Sequence, residues 1–88
     1  MKVTNITGNN GNKVVNQFII EDEDNHARYF QSYNSIIVKR ENGKVYLDET
    51  YWDYSKTTSK YRNIFLSETT KETKAKIKSG EYTLTNLN

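Results

Sequence analysis

The 88-residue chain has no cysteine, no proline, one histidine, one tryptophan and four glycines. Without cysteine there is no disulfide scaffold, no thiolate zinc site and no cysteine nucleophile. No apolar run approaches the roughly 20 residues of a membrane-spanning helix. The opening "MKVTNITGNN" has no apolar stretch of the kind a secretory signal needs. The expectation is a soluble cytoplasmic protein with no membrane partner. No stretch reads as a linker and no segment repeats, so residues 1–88 are read as a single domain. Only 34% of the residues are apolar, and mean hydropathy is −0.93. Seven Tyr, three Phe and one Trp compensate, because each ring carries a large apolar area.

Net charge is +2, too small for a strong electrostatic footprint. Its distribution says more. Glu21 to Asp24 is an acidic run, "EDED". Between Ser55 and Gly80 seven basic residues stand against two acidic ones, a local net charge of +5. A dipolar molecule with a basic C-terminal half-surface follows.

The local patterns predict an α+β fold. "KVTNI", "NKVVNQFIIED" and "ARYFQSY" alternate or are rich in β-branched and aromatic residues, as strands are. "SYNS" around Asn34 reads as a bulge, after which "SIIVKRE" continues the sheet. Asn42-Gly43 between two strand patterns predicts a two-residue type I′ hairpin, with Val38 opposite Leu47 and Arg40 opposite Val45. Ile36, Val38, Val45 and Leu47 then face the core, and Lys39 and Tyr46 the reverse side. After Leu47 the apolar period changes. Thr57, Thr58 or Ser59 is the expected N-cap of a helix carrying Tyr61, Ile64, Phe65 and Leu66 on one face. Ser67 to Gly80 reads as a second helix, with Thr69 and Glu72 at capping-box spacing and Gly80 as its stop. "EYTLTNL" closes as a strand at a sheet edge. The expected architecture is an antiparallel sheet of four or five strands with two C-terminal helices packed on one face.

Several stretches invite a chemical reading. Asp22, Asp24 and His26 alternate as calcium ligands do, but the central glycine and distal glutamate of a calcium loop are missing. "GNNGN" (Gly8 to Asn12) offers a backbone nest, yet lacks the Lys-Ser/Thr ending and following helix of a phosphate loop. Both read as ordinary turns. The serines and threonines have no base placed to activate them. No metal or cofactor pattern is present, and the reading is of a non-enzyme. "DETYWDYSKTTSKYRNIFL" (Asp48 to Leu66) is the densest stretch. Trp52, Tyr61 and Phe65 are expected in the core, which leaves Tyr51 and Tyr54 for a surface. Lys60, Arg62, Lys71, Lys74 and Lys78 are expected to line a basic surface beside them. The last three lie within about 60° of one another on a helix.

From Tyr29 onward the chain resembles a group of small proteins encoded by phages, prophages and plasmids of low-GC Gram-positive bacteria. The carrying motifs are "F-x-S-Y-x-S" (Phe30, Ser32, Tyr33, Ser35), "WDYS-x-TT" (Trp52 to Ser55, Thr57, Thr58), "RN-x-FL" (Arg62, Asn63, Phe65, Leu66) and "IKSGEY" (Ile77 to Tyr82). The resemblance implies no chemistry and no site residues. It implies an accessory gene of a mobile element. The expectation is a non-catalytic protein that binds and modulates a host protein, with inhibition of a host defence nuclease or nucleoprotein complex as the sharpest form. The alternative is a small nucleic-acid-binding regulator that uses the same basic surface.

Overall fold

The structure is a computed structural model, and it describes residues 1–8 and 10–88. Six strands form one sheet: β1 (Lys2–Thr7), β2 (Lys13–Asp22), β3 (Ala27–Ser32), β4 (Ser35–Glu41), β5 (Lys44–Asp48) and β6 (Tyr82–Thr85). Two helices, α1 (Lys56–Leu66) and α2 (Thr70–Ser79), separate β5 from β6. The strands lie in the sheet in chain order. The first five form an antiparallel meander, and β6 joins β5 in parallel.

The α+β class and the two helices agree with the sequence patterns, but the strand count and the purely antiparallel sheet do not. The extra strand comes from "SYNS". Ser32 pairs with Ser35, so Tyr33-Asn34 is a hairpin turn and not a bulge within one strand. Tyr33, and not Asn34, takes the left-handed conformation, with φ 56°. Its N–H donates to the Asn16 carbonyl at 2.7 Å, and the Gln31 amide donates to its carbonyl at 2.7 Å. Those two bonds offset the cost of positive φ in an aromatic residue. The parallel pairing follows from the helices. A strand that returns through a long crossover can enter alongside its predecessor in the same direction.

The Asn42-Gly43 turn is as its sequence dictates. Both residues have positive φ, 52° and 78°, as a type I′ turn requires. Val38 pairs with Leu47 and Arg40 with Val45, the expected register. The core assignment slips by one residue at the far end of β4. The β3–β4 register shifts between Phe30 and Gln31, so that Val38 opposes Phe30 but Ile36 opposes Gln31. Ile37 is the inserted residue. It is fully buried, whereas Ile36 is only half-buried.

The core lies between the sheet and the helices. Ile6, Phe30, Ile37, Val38, Val45, Leu47, Phe65, Leu66 and Tyr82 form it, with Tyr51, Trp52 and Tyr61 packed at its margin. Phe65 stacks on Phe30 with ring centroids 6.0 Å apart. A polar seam lies alongside: the Ser32 and Thr58 hydroxyls are 2.9 Å apart, and buried Gln17 is the cross-strand partner of Ser32. On the opposite face of the sheet Lys39 Nζ stands 6.0 Å from the ring centroids of both Tyr29 and Tyr46. Asp22, expected at a solvated tip, is buried and accepts from the Asn25 side-chain amide at 2.8 Å. The turn between β1 and β2 closes through Gly8 N–H to the Asn12 carbonyl at 2.8 Å; Asn9 within it lies outside the described residues.

The C-terminal end is fastened by one carboxylate. Asp48 is 1% exposed and accepts from the backbone N–H groups of Thr50, Tyr51 and Leu87 and from the Asn88 amide. The Asn88 side chain also bonds both backbone groups of Ile36, accepting at 2.7 Å and donating at 2.9 Å. It thereby satisfies β4 where β5 has turned away.

Gly43→Val tests the hairpin. No atom lies within 4 Å of a Cβ built at Gly43, so only the backbone resists the substitution. Positive φ costs a β-branched residue roughly 1–2 kcal/mol, which lowers Tm by several degrees in a domain of this size. Thermal unfolding followed by circular dichroism checks this; an unchanged Tm contradicts the turn.

Candidate binding groove

Helix α1 begins at Ser55, earlier than Thr57, Thr58 or Ser59. Ser55 is extended, with φ −152°, and its hydroxyl accepts from the Thr58 N–H at 3.1 Å. The three expected caps lie inside the helix, and Thr58 is turned inward against Ser32. Ser67 ends the helix in the left-handed conformation, φ 55°, with hydrogen bonds returning to Asn63 and Ile64. Helix α2 has the expected capping box. The Thr69 hydroxyl accepts from Glu72 N–H at 3.2 Å and the Glu72 carboxylate accepts from Thr69 N–H at 3.1 Å. Gly80, φ 86°, is its C-cap.

The structure corrects the basic surface at Arg62. This side chain is 0% exposed, so it cannot meet a partner. Its guanidinium donates to the Trp52 carbonyl, to Asp53 Oδ1 at 3.5 Å, to Ser59 Oγ at 3.4 Å, to Asn63 Oδ1 at 3.1 Å and to Thr70 Oγ1 at 2.9 Å. It also lies 5.2 Å from the Trp52 ring centroid. Burial depresses its pKa, and the Asp53 and Glu68 charges oppose that shift. Guanidinium stays protonated regardless. One planar cation with several donors therefore joins the 49–55 loop, α1 and the start of α2.

Its companion is Glu68, in the connection between the helices, with a side chain 3% exposed. It accepts from Lys76 Nζ at 2.9 Å, Tyr82 Oη at 2.6 Å and Thr73 Oγ1 at 2.5 Å. Burial works against its charge, but the bonds from Thr73, Tyr82 and Lys76 outweigh it and hold the carboxyl below its usual range. The same pairing with Glu68 raises the Lys76 pKa. The Tyr82 phenol is pushed up by burial and by Glu68.

With α1 so held, its outward stripe of Lys56, Lys60 and Ile64 runs past the β1 side of the sheet. Two open hollows result, of about 610 and 420 Å³, and Lys13 and Ile64 line both. The larger is floored by Ile6, Ile19 and Phe65. The smaller extends under Tyr61 and Lys60 to the β1–β2 turn. Together they form one groove between β1 and α1. Its charged residues are Lys13, Lys60, Arg28 and Glu21. Glu21 lies in register between Lys2 and Arg28, which match its charge across the strands. Among the described residues Lys13 and Lys60 make no ion pair. Ile64, expected on the core face of its helix, is 43% exposed and forms the apolar lip.

The expected surface residues do not form one site. Lys60 is in the groove. Lys71, Lys74 and Lys78 are exposed on α2, which packs on β6 at the opposite edge of the sheet. Tyr51 is half-buried against the core, and exposed Tyr54 meets it edge to face with centroids 5.7 Å apart. Lys13, Arg28 and Ile19 escaped the sequence reading because nothing local says which strand becomes the sheet edge beside α1.

The chain matches the model described as a family of unknown function (DUF8033) over residues 1–81. It belongs to that family. The match covers β1 to β5, both helices and every residue lining the groove, and stops one residue short of β6. No curated protein and no solved structure matches the chain.

The buried carboxylates set an acid limit. Hydrogen bonds also leave Asp48 below its usual pKa, against the opposing effect of burial. A carboxyl depressed in the folded state contributes stability that is complete above its unfolded pKa, about 3.9 for Asp and 4.3 for Glu. That stability is lost as pH falls through the folded value. Urea midpoints should therefore fall as pH drops from about 5 toward 3. Glu68→Gln should be less stable at pH 7 and flatter over that interval; a slope equal to wild type would remove Glu68 from the effect.

Proposed function

We propose that the protein is a non-catalytic accessory protein of a phage or other mobile element that binds a host protein and modulates it, in its sharpest form by inhibiting a host defence nuclease. One observation carries the binding part of this reading: the groove between β1 and α1, with apolar side chains on its floor and lip and with Lys13 and Lys60, which make no ion pair among the described residues, at its rim. Concave sites that set placed polar groups around apolar side chains are where ligands and partners bind, and here Ile6, Ile19, Ile64 and Phe65 are bordered by polar and charged residues. The groups with shifted pKa values also favour a binding role. Arg62, Glu68, Lys76 and Tyr82 spend their hydrogen bonds on one another and on their neighbours, holding the helices and β6. The mobile-element context rests on the resemblance of the motifs from Phe30 to Tyr82.

A second reading has its own observation. Lys71, Lys74 and Lys78 stand exposed on one face of α2, whereas Lys76 is tied to Glu68. Three exposed cations on one ridge suit phosphates, and each phosphate contact would steepen the salt dependence of DNA binding by about 0.9 on a log–log scale.

The two readings part experimentally. Lys60→Glu combined with Ile64→Glu alters exposed positions and should leave Tm within a few degrees of wild type. Affinity columns of wild type and of this variant, loaded with lysate of a low-GC Gram-positive host, should differ by a host protein retained by wild type alone. Identical retention would remove the groove from the function. If DNA is the ligand, random duplex should bind at 50 mM salt, and Lys→Gln at residues 71, 74 and 78 should flatten the salt slope by about 3. An absence of binding at that salt ends the nucleic-acid reading.

A further inference from the structure

Strand β1 is one of the two edges of the sheet. It pairs with β2 on one side and, among the described residues, with no strand on the other. Its outward N–H and C=O groups form a template for another extended chain. Natural edges are commonly blunted by charge, proline, shortness or a covering element. Here the six residues "KVTNIT" carry one charge, Lys2, and no proline, with a register shift only between Asn5 and Thr7. Val3 is 58% exposed. Helix α1 does not cover this edge. It runs beside it, and the groove lies between them.

An edge strand alongside a helix-walled groove with apolar side chains on its floor has a specific use. A segment that pairs with β1 sends every second side chain to the groove side, because side chains alternate along a strand. Pairing along Lys2–Thr7 would direct about three side chains onto Ile19, Ile64 and Phe65. The main-chain bonds would supply register and the pockets selectivity. Charge selects the segment. Among the described residues Lys13, Lys60, Arg28 and Glu21 all make no ion pair, so three cations line the groove against one carboxylate, and Lys2 stands in register beside that carboxylate. A second copy of this chain pairing through its own β1 does not complement these cations, since that strand carries Lys2 and no carboxylate. A nucleic acid would leave the apolar floor and the strand's backbone groups unmet.

We propose that β1 and α1 form a docking edge for an extended segment of a partner protein, apolar at alternate positions and acidic at its flanks, which binds by adding a strand to β1. This rests on the reading of the groove as the binding site and adds how the partner is recognised.

The test is selection from a displayed library of random dodecapeptides on the intact protein, with counter-selection on a Lys13→Glu, Ile64→Glu variant. Both substituted residues are exposed, and an unchanged melting curve confirms that the variant is folded. The enriched peptides should be net acidic, with apolar residues at every second position. A synthetic peptide of the commonest enriched sequence should slow amide hydrogen exchange along β1 and shift the Ile64 methyl resonances. Methylating its backbone nitrogens at the alternate positions that pair with β1 should weaken it more than 10-fold, as should exchanging its acidic residues for lysine. Enrichment of peptides that reach Ile64 but tolerate N-methylation at every position would overturn strand addition while leaving the groove as the binding site. No enrichment over the variant would overturn both. Preference for basic peptides, or sedimentation of the free protein as a dimer that Ile64→Glu dissociates, would replace the proposed occupant.

Discussion

The structure depends on the burial of Arg62. A guanidinium withdrawn from water needs partners for its donors, and while Nε has none among the described residues, the two terminal nitrogens find theirs in three separate pieces of chain: the Trp52 carbonyl and Asp53 from the 49–55 loop, Ser59 and Asn63 from α1, and Thr70 from α2. Their geometry is coupled through one rigid plane. The Trp52 ring covers the cation at 5.2 Å, so the margin of the core and the charge are one unit. Glu68 does the same from the other side, drawing Thr73, Lys76 and Tyr82 to a single carboxylate. These two centres hold the helices on a sheet whose apolar complement is small.

The placement of α1 has two outcomes. Phe65 stacks on Phe30 and closes the core, while Ile64, the next residue back, is left at the surface beside β1. The helix thus completes the core and leaves a groove with one pass along the sheet. Because β5 and β6 are neighbours, α2 is drawn to the other edge, and its lysines part from Lys60. What reads as one basic half in the sequence is two surfaces in space.

The legible parts were those fixed by short-range physics. Asn42-Gly43 set a turn and a register because few residues accept two successive positive φ angles. Thr69, Glu72 and Gly80 bounded α2 because orphan backbone groups at helix ends need partners. Phe65 was recognisable as core because a chain with so little apolar surface cannot leave a phenylalanine in water. Tyr33-Asn34 was missed because its left-handed turn is held by a hydrogen bond to Asn16, far along the chain. Ile37 displaced Ile36 from the core through a shift in register against β3, which no pattern within β4 records.

The candidate site divides in the same way. Of its residues only Lys60 was legible as a surface group: Tyr61 and Phe65, which also line it, read as core, and Tyr51 and Tyr54 lie elsewhere. Its location was not legible. Whether a cation faces solvent depends on which acceptors converge on it, and only the tertiary structure brought five to Arg62, whereas Lys60 has the Tyr61 ring at 5.3 Å and, among the described residues, no ion pair. Which strand lies at the edge depends on the pairing of all six. The sequence determined the α+β class, the caps of α2 and one hairpin register, because those rest on neighbouring residues. The tertiary structure decided the edge, the groove and the buried arginine, because those rest on residues that meet only when the chain has folded.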